Sequence, residues 1–78
     1  MIAITGKHLR AGRALLGWTQ GELAKKSRVV LGTISRMEEF DGAVRARTET
    51  LGRVVTALEK AGIEFLNDDQ PGVRLKRK

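Results

Sequence analysis

The sequence predicts a mainly α fold: a small four-helix domain, with two short helices and a tight turn at its centre, followed by a short C-terminal β-hairpin. Three observations support this prediction. Threonines precede three segments with apolar residues at helical spacing, at Thr5, Thr19 and Thr48. Glycines follow two of these segments, at Gly17 and Gly62. Beyond Gly62, apolar and charged residues alternate on both sides of the turn-forming run NDDQPG, which is typical of a hairpin.

Length and charge indicate one domain with a preference for polyanions. The 78 residues allow a single domain, 1–78, which divides into a helical core (5–62), the hairpin (63–75) and a basic tail (76–78). Fifteen Lys and Arg against nine Asp and Glu give a net charge of +6, which favours nucleic acid as a partner. A basic domain without any charged partner is the alternative that composition leaves open.

The composition argues against several classes of protein. The chain has no cysteine, so nothing indicates disulfides or a thiolate metal site. No apolar run approaches the roughly 20 residues of a membrane span, so we expect a cytoplasmic protein without a membrane partner. Ser27 and Ser35 have no evident histidine partner, and metal-ligand clusters and phosphate loops are missing from the sequence. We therefore expect neither an enzyme nor a cofactor or metal site.

The centre of the chain, residues 19–39, carries the strongest local signals. Thr19 and Glu22 have the spacing of a capping box, in which each side chain bonds an unpaired N–H at the helix start. Further on, Ile34 and Met37 are three residues apart and should lie on the buried face of the next helix. Helices this short must pack against other elements while presenting a polar face outward.

The flanking helices are predicted from apolar spacing. In the first, Leu9, Leu15 and Leu16 should face the core, and His8 should be a surface residue. In the fourth, which we expect Thr48 to cap, a stripe of apolar residues recurs at helical spacing. This stripe consists of Leu51, Val54, Val55, Leu58 and Ala61.

The central pattern resembles the helix-turn-helix of the phage repressor/Cro type, often called the XRE family. The resemblance is carried by the run LGWTQ-ELA, residues 16–24, followed nine residues later by TISRME, residues 33–38, with Arg13 and Val29 in addition. It covers about three quarters of the chain. The family usually has Gly where this chain has Arg28, and a capping Ser or Thr where it has Val30.

The resemblance implies a regulator that binds double-stranded DNA and places its third helix in the major groove. The positions that would face the bases are Val30, Leu31, Gly32, Thr33 and Arg36. The positions that would contact phosphates are Gln20, Arg45 and Arg47. Arg13 and Glu38 would form a structural ion pair between the first and third helices. Among the base-facing residues, only Arg36 has the fork geometry for guanine, while Val30 and Leu31 fit thymine methyl groups.

Two questions about partners stay open at this point. We expect a homodimer with Phe65 and Leu75 of the hairpin at its interface, because a lone hairpin buries little; the alternative is a hairpin folded back on its own helices. The apolar segment VLG, residues 30–32, also allows a second class of function. In that alternative the chain is a protein-interaction module that binds another regulatory protein.

Overall fold

The computed structural model describes residues 4–39, 44, 46–67 and 71–76. Its elements are the helices α1 (Gly6–Leu16), α2 (Gln20–Ser27), α3 (Leu31–Glu38) and α4 (Thr48–Lys60), and the strands β1 (Ile63–Asn67) and β2 (Pro71–Leu75). Within the described residues, the predicted fold class is confirmed: four helices precede one antiparallel hairpin. No helix in this part of the chain is long and apolar enough to cross a membrane.

The first two helices begin with complete capping boxes. The hydroxyl of Thr19 accepts a hydrogen bond from the Glu22 N–H at 3.0 Å, and the Glu22 carboxylate accepts one from the Thr19 N–H at 2.9 Å. Thr5 caps α1 in the same manner. Gly17 ends α1 with a φ of 72°, a left-handed conformation that glycine adopts at low cost. These local predictions are confirmed.

The start of α4 differs from the prediction by one residue. Arg47 is the N-cap, with extended backbone (φ −60°, ψ 142°), and Thr48 is the first helical residue. The side chain of Arg47 makes no capping hydrogen bond. A threonine at the first helical position no longer has the extended backbone that lets its hydroxyl reach the next turn, so Thr48 is not the cap we predicted.

A single apolar cluster joins all four helices to the hairpin. Its buried members are Ile4, Leu9, Leu23, Val29, Ile34, Met37, Val54, Leu58, Ile63 and Phe65. Leu16, Leu51 and Val55 pack against it in partly buried positions. Leu15, by contrast, is 46% exposed, so its predicted burial is wrong. On an 11-residue helix, Leu15 lies beside the apolar face that Leu9 and Leu16 share.

The hairpin packs on the helices of its own chain. In its register Phe65 lies opposite Val73 and Ile63 opposite Leu75, with β2 against α1 and β1 against α4. Gly62 connects α4 to β1 with a φ of 111°, and a Cβ there would lie 3.0 Å from a Leu75 methyl carbon. Both the backbone conformation and this close approach favour glycine at the position.

This packing corrects the predicted role of Phe65. The side chain is only 9% exposed and belongs to the core of its own chain, and its ring centroid lies 6.2 Å from that of His8. A side chain already covered by its own chain cannot also form a dimer interface. Leu75, which is 39% exposed, keeps part of its surface for a partner.

His8 is buried, so its predicted place on the helix surface is wrong. It is 6% exposed, and its Nδ1 accepts a hydrogen bond from the Thr5 N–H at 3.0 Å, so that it completes the capping box of α1. An Nδ1 that accepts this bond leaves the proton of the neutral ring on Nε2, a buried atom with no hydrogen-bond partner. Burial lowers the pKa of His8 below its ordinary value.

We therefore expect His8 to make the fold sensitive to mild acid. The unfolded chain binds a proton on His8 near pH 6.5, whereas the folded chain does so only at lower pH, so stability should be full above about pH 6.5 and fall below it. Thermal melts between pH 7.5 and 5.5 measure this loss. His8→Gln keeps a capping acceptor but does not titrate, so its melting temperature should depend less on pH. An equal pH dependence in both proteins would contradict the assignment.

Candidate nucleic-acid interface

Helix α3 has one buried and one exposed face. Ile34, Met37 and Glu38 are buried, with 0, 2 and 2% of their surface exposed. The other side presents all five residues that the resemblance places against bases. Val30 is 73% and Leu31 51% exposed, Gly32 and Arg36 are exposed, and Thr33 is half-buried.

Two of these residues interact with one another. The Nη2 of Arg36 lies 3.4 Å from the Thr33 hydroxyl oxygen, to which it donates a long hydrogen bond. The two residues are three positions apart and therefore share one side of the helix. Among the described residues this is the contact that the guanidinium makes, so its other N–H groups remain available to a ligand.

The start of α3 lacks a side-chain cap. Val30 is the N-cap, with extended backbone (φ −61°, ψ 145°). Its aliphatic side chain cannot accept a hydrogen bond and therefore does not cap the helix. Its carbonyl accepts from the Thr33 and Ile34 N–H groups, so the helix itself is regular from its first turn. The first amides of α3 are left for water or a ligand.

Val30→Ser should therefore stabilise the fold by about 0.5–2 kcal/mol, because a serine hydroxyl can cap α3. Since Val30 is 73% exposed, its loss from the surface removes little packing. Chemical denaturation measures the change. The matched control is Thr19→Val, which removes the existing cap of α2 and should destabilise the fold by a similar amount. A less stable Val30→Ser protein would show that the valine contributes more than its exposure indicates.

The turn between α2 and α3 contains a strained residue. Arg28 has φ 59° and ψ 36°, and it is the only non-glycine with positive φ among the described residues. Left-handed backbone costs an ordinary side chain about 1–2 kcal/mol. Two features hold the turn: the Arg28 N–H bonds the Ala24 carbonyl, and Val29 is buried in the core. The turn therefore keeps its shape without glycine.

Glu38 lies at the junction of the first three helices. Its carboxylate accepts from the Nε and Nη2 of Arg13, each at 2.7 Å, so the predicted ion pair is present and bidentate. The Nη1 of Arg13 donates to the Trp18 carbonyl at 2.9 Å. The hydrogen bonds to Glu38 raise the pKa of Arg13, against the opposing effect of its partial burial. This pair fixes α3 against α1.

Gln20 extends this network instead of pointing freely outward. Its side-chain N–H donates to the same Glu38 carboxylate at 3.1 Å, which ties the start of α2 to the end of α3. A phosphate contact, the predicted role of Gln20, would use the remaining amide atoms or the backbone N–H at the helix start. That role stays a prediction.

Arg10 is a member of the junction that the sequence analysis missed. Its Nη1 donates to the main-chain carbonyl of Glu38, at the C-terminal end of α3. Arg10 precedes Arg13 by three residues and so shares its face of α1. Because Arg13 was predicted to pair with Glu38, an arginine three residues before it on the same face of α1 could have been predicted to reach Glu38 as well.

Of the two arginines predicted to contact phosphates after α3, the structure describes only Arg47. Arg47 is exposed and is the N-cap residue of α4. Its side chain makes no capping hydrogen bond to the first backbone N–H groups of that helix. Arg45 lies outside the described residues. Among the described residues, no group of three or more His, Cys, Asp or Glu side chains is placed to hold a metal ion.

Comparison with known proteins found no match for this chain. No protein-family model matches the chain, and no curated protein matches it either.

Proposed function

We propose that this protein is a sequence-specific, double-stranded DNA-binding regulator of transcription that places α3 in the major groove. The observation that carries the proposal is the division of α3 into two faces. Its buried face is locked by core contacts and the Arg13–Glu38 pair, while its exposed face presents every residue that the phage repressor/Cro resemblance assigns to base reading. A rigid helix with a free outer face is what major-groove recognition requires.

The N-terminal ends of the helices also support DNA binding on the side of α3 and α4. α1 and α2 have complete capping boxes, whereas α3 and α4 begin at Val30 and Arg47 without side-chain caps. Uncapped helix starts attract phosphates through their free amides and their partial positive charge. The net charge of +6 adds long-range attraction for DNA. A regulator of this kind would act in the cytoplasm.

The proposal includes a homodimer, because one module reads few base pairs and two half-sites about 34 Å apart give specific binding. Each strand of the two-stranded hairpin has one edge without a strand neighbour among the described residues, and Leu75 is 39% exposed. We expect a dimer in sedimentation at tens of micromolar, and Leu75→Lys should weaken it. Leu15→Lys is the control at another exposed leucine. A wild-type monomer that binds a single half-site would contradict the dimer.

One observation favours a second candidate function. Val30 and Leu31 form an adjacent pair of exposed aliphatic side chains, which suits an apolar contact with another regulatory protein. Salt distinguishes the two functions. Binding to DNA releases counterions and should weaken steeply between 50 and 200 mM salt, whereas an apolar protein contact should change little.

Selection from a random duplex pool tests the proposed function. The full-length protein should enrich a defined sequence, and the enriched duplex should bind more tightly than a scrambled duplex of the same composition at every salt concentration. The logarithm of the binding constant should fall linearly with the logarithm of salt concentration. A pool without enrichment would reject sequence-specific binding. Equal binding to the enriched and scrambled duplexes would reduce the activity to general attraction to phosphates.

A further inference from the structure

A basic groove lies between α2 and α4, on residues that the proposed DNA contacts do not use. Its volume is about 770 Å³, and its walls are the end of α2 on one side and α4 on the other. Four of the described residues that line it are cationic, namely Lys26, Arg28, Arg53 and Lys60. Glu49 is the only acidic residue among them, and it pairs with Arg53 at 2.9 Å. Positive charge therefore dominates both walls.

Small side chains on α4 keep this groove open. Gly52 and Ala57 line it, and a Cβ at Gly52 would meet no atom within 4 Å. The α4 wall extends from Glu49 to Lys60, which is about 17 Å at the rise of an α-helix. An extended polypeptide of about five residues has the same length. The groove therefore has room for a short segment of another chain.

One of the cationic residues is placed in the groove despite an unfavourable backbone. Arg28 has a φ of 59°, a conformation that glycine adopts at much lower cost than any residue with a side chain. Its side chain is exposed and lines the groove, so it adds no buried contact that would explain an arginine there. Strained residues of this kind cluster at binding sites. The position of Arg28 thus points to a ligand for its guanidinium.

The lining distinguishes among anionic ligands. A DNA duplex has a convex surface, so its phosphates would reach only the rim of the groove. Single-stranded nucleic acid is usually held by aromatic side chains that stack on its bases, and no aromatic side chain is present among the described lining residues. Carboxylates pair well with both kinds of cation in the groove, since arginine binds them through two parallel N–H groups and lysine through its charge.

We propose that the groove between α2 and α4 binds an acidic polypeptide segment of a partner protein, independently of DNA. Its carboxylates pair with Lys26 and Arg28 on one wall and with Arg53 and Lys60 on the other. Arg53 can exchange Glu49 for a carboxylate of the ligand, because both side chains of that pair are largely exposed. Single pairs at such a surface are weak, so recognition requires several carboxylates on one segment.

A synthetic peptide tests the charge of the groove. The probe is a fluorescein-labelled peptide in which five glutamates alternate with five glycines, and the same peptide with glutamines is its control. Fluorescence anisotropy at 50 mM salt should show binding of the glutamate peptide only. Lys26→Glu and Lys60→Glu together should weaken it about tenfold, because two attractions become repulsions on opposite walls. Lys7→Glu and Lys76→Glu, an equal change in net charge at exposed lysines outside the groove, should weaken it by less than about twofold.

A second variant tests the shape of the groove without any change in charge. Gly52→Leu places a side chain in the open space and should weaken binding of the glutamate peptide, while a leucine in a helix is more favourable than glycine. Ala11→Leu is its matched control, since Ala11 is exposed on α1 outside the groove. Thermal melts verify that each variant is folded.

Four results would overturn the proposal. The first is a wild-type protein that does not bind the glutamate peptide, and the second is an equal loss in the two double-lysine variants, which would reduce binding to net charge. The third is unchanged binding by Gly52→Leu, which would place the peptide elsewhere. The fourth is a variant with glutamate at Lys26 and Lys60 that loses affinity for a scrambled duplex but not for the peptide, which would make the groove a phosphate contact.

Discussion

Replacing Glu38 with glutamine should lower the free energy of unfolding by about 3 kcal/mol. The carboxylate is 2% exposed and accepts two hydrogen bonds from Arg13 and one from Gln20. Loss of one partner of a buried pair leaves the other charge uncompensated, which costs about 3–5 kcal/mol. We expect the lower end of this range, because the Arg13 side chain is 18% exposed and can recover some hydration.

A double-mutant cycle isolates this interaction. Glu38→Gln, Arg13→Met and the double variant should give losses that are far from additive, since either substitution alone breaks the pair. Arg53 and Glu49 on α4 provide the matched control, because they pair at 2.9 Å with 55 and 77% exposed side chains. The same cycle there should give a coupling of under about 0.5 kcal/mol. Additive losses at Arg13 and Glu38 would show that the pair does not contribute as its geometry indicates.

Arg36→Ala should weaken binding to the enriched duplex by about 1–3 kcal/mol and relax the preference for one base pair. Arg36 is exposed on α3, and among the described residues its side chain bonds only the Thr33 hydroxyl, at a long 3.4 Å, so the substitution should hardly change stability. Arg53→Ala removes an exposed arginine from α4 and controls for net charge. Fluorescence anisotropy with the enriched and scrambled duplexes measures both effects.

Two outcomes would revise the role of Arg36. An equal loss on the enriched and scrambled duplexes would make it a phosphate contact, because phosphates carry no sequence information. Binding that is unchanged on both would remove Arg36 from the interface. The proposed function would then depend on the other exposed residues of α3.

Local structure was predictable because its causes are local. The cap at Thr19 is formed with Glu22, three residues away, and the turn at Gly17 needs one left-handed residue, so both are visible in a short stretch of sequence. The start of α4 was misplaced because Arg47 makes no capping bond and so gives no signal.

The errors about His8 and Phe65 concern contacts between distant segments. His8 is buried against the hairpin, and Phe65 is covered by its own helices, since the hairpin folds back on α1 and α4. Neither outcome follows from the spacing of residues within one helix. The bond from Gln20 to Glu38 likewise depends on the angle between α2 and α3, which is set by the core beneath them.

The residues of the candidate site could be proposed from the sequence, but their exposure and their neighbours could not. Resemblance alone assigned Val30 and Leu31 to base contacts, and the structure adds that both are exposed beside an uncapped helix start. For Gly32, the structure adds that no neighbouring atom requires the absence of a side chain. These surroundings depend on how α3 docks on the core, which the spacing of residues within one helix does not determine.

The most direct test of major-groove reading by α3 combines one base analogue with one variant. In the enriched duplex, 7-deazaguanine at the guanine opposite Arg36 removes the N7 acceptor from the major groove. Wild-type protein should lose affinity for this duplex, and Arg36→Ala should bind the modified and unmodified duplexes equally. Equal losses in both proteins, or no loss in either, would contradict the placement of α3 in the major groove with Arg36 on guanine.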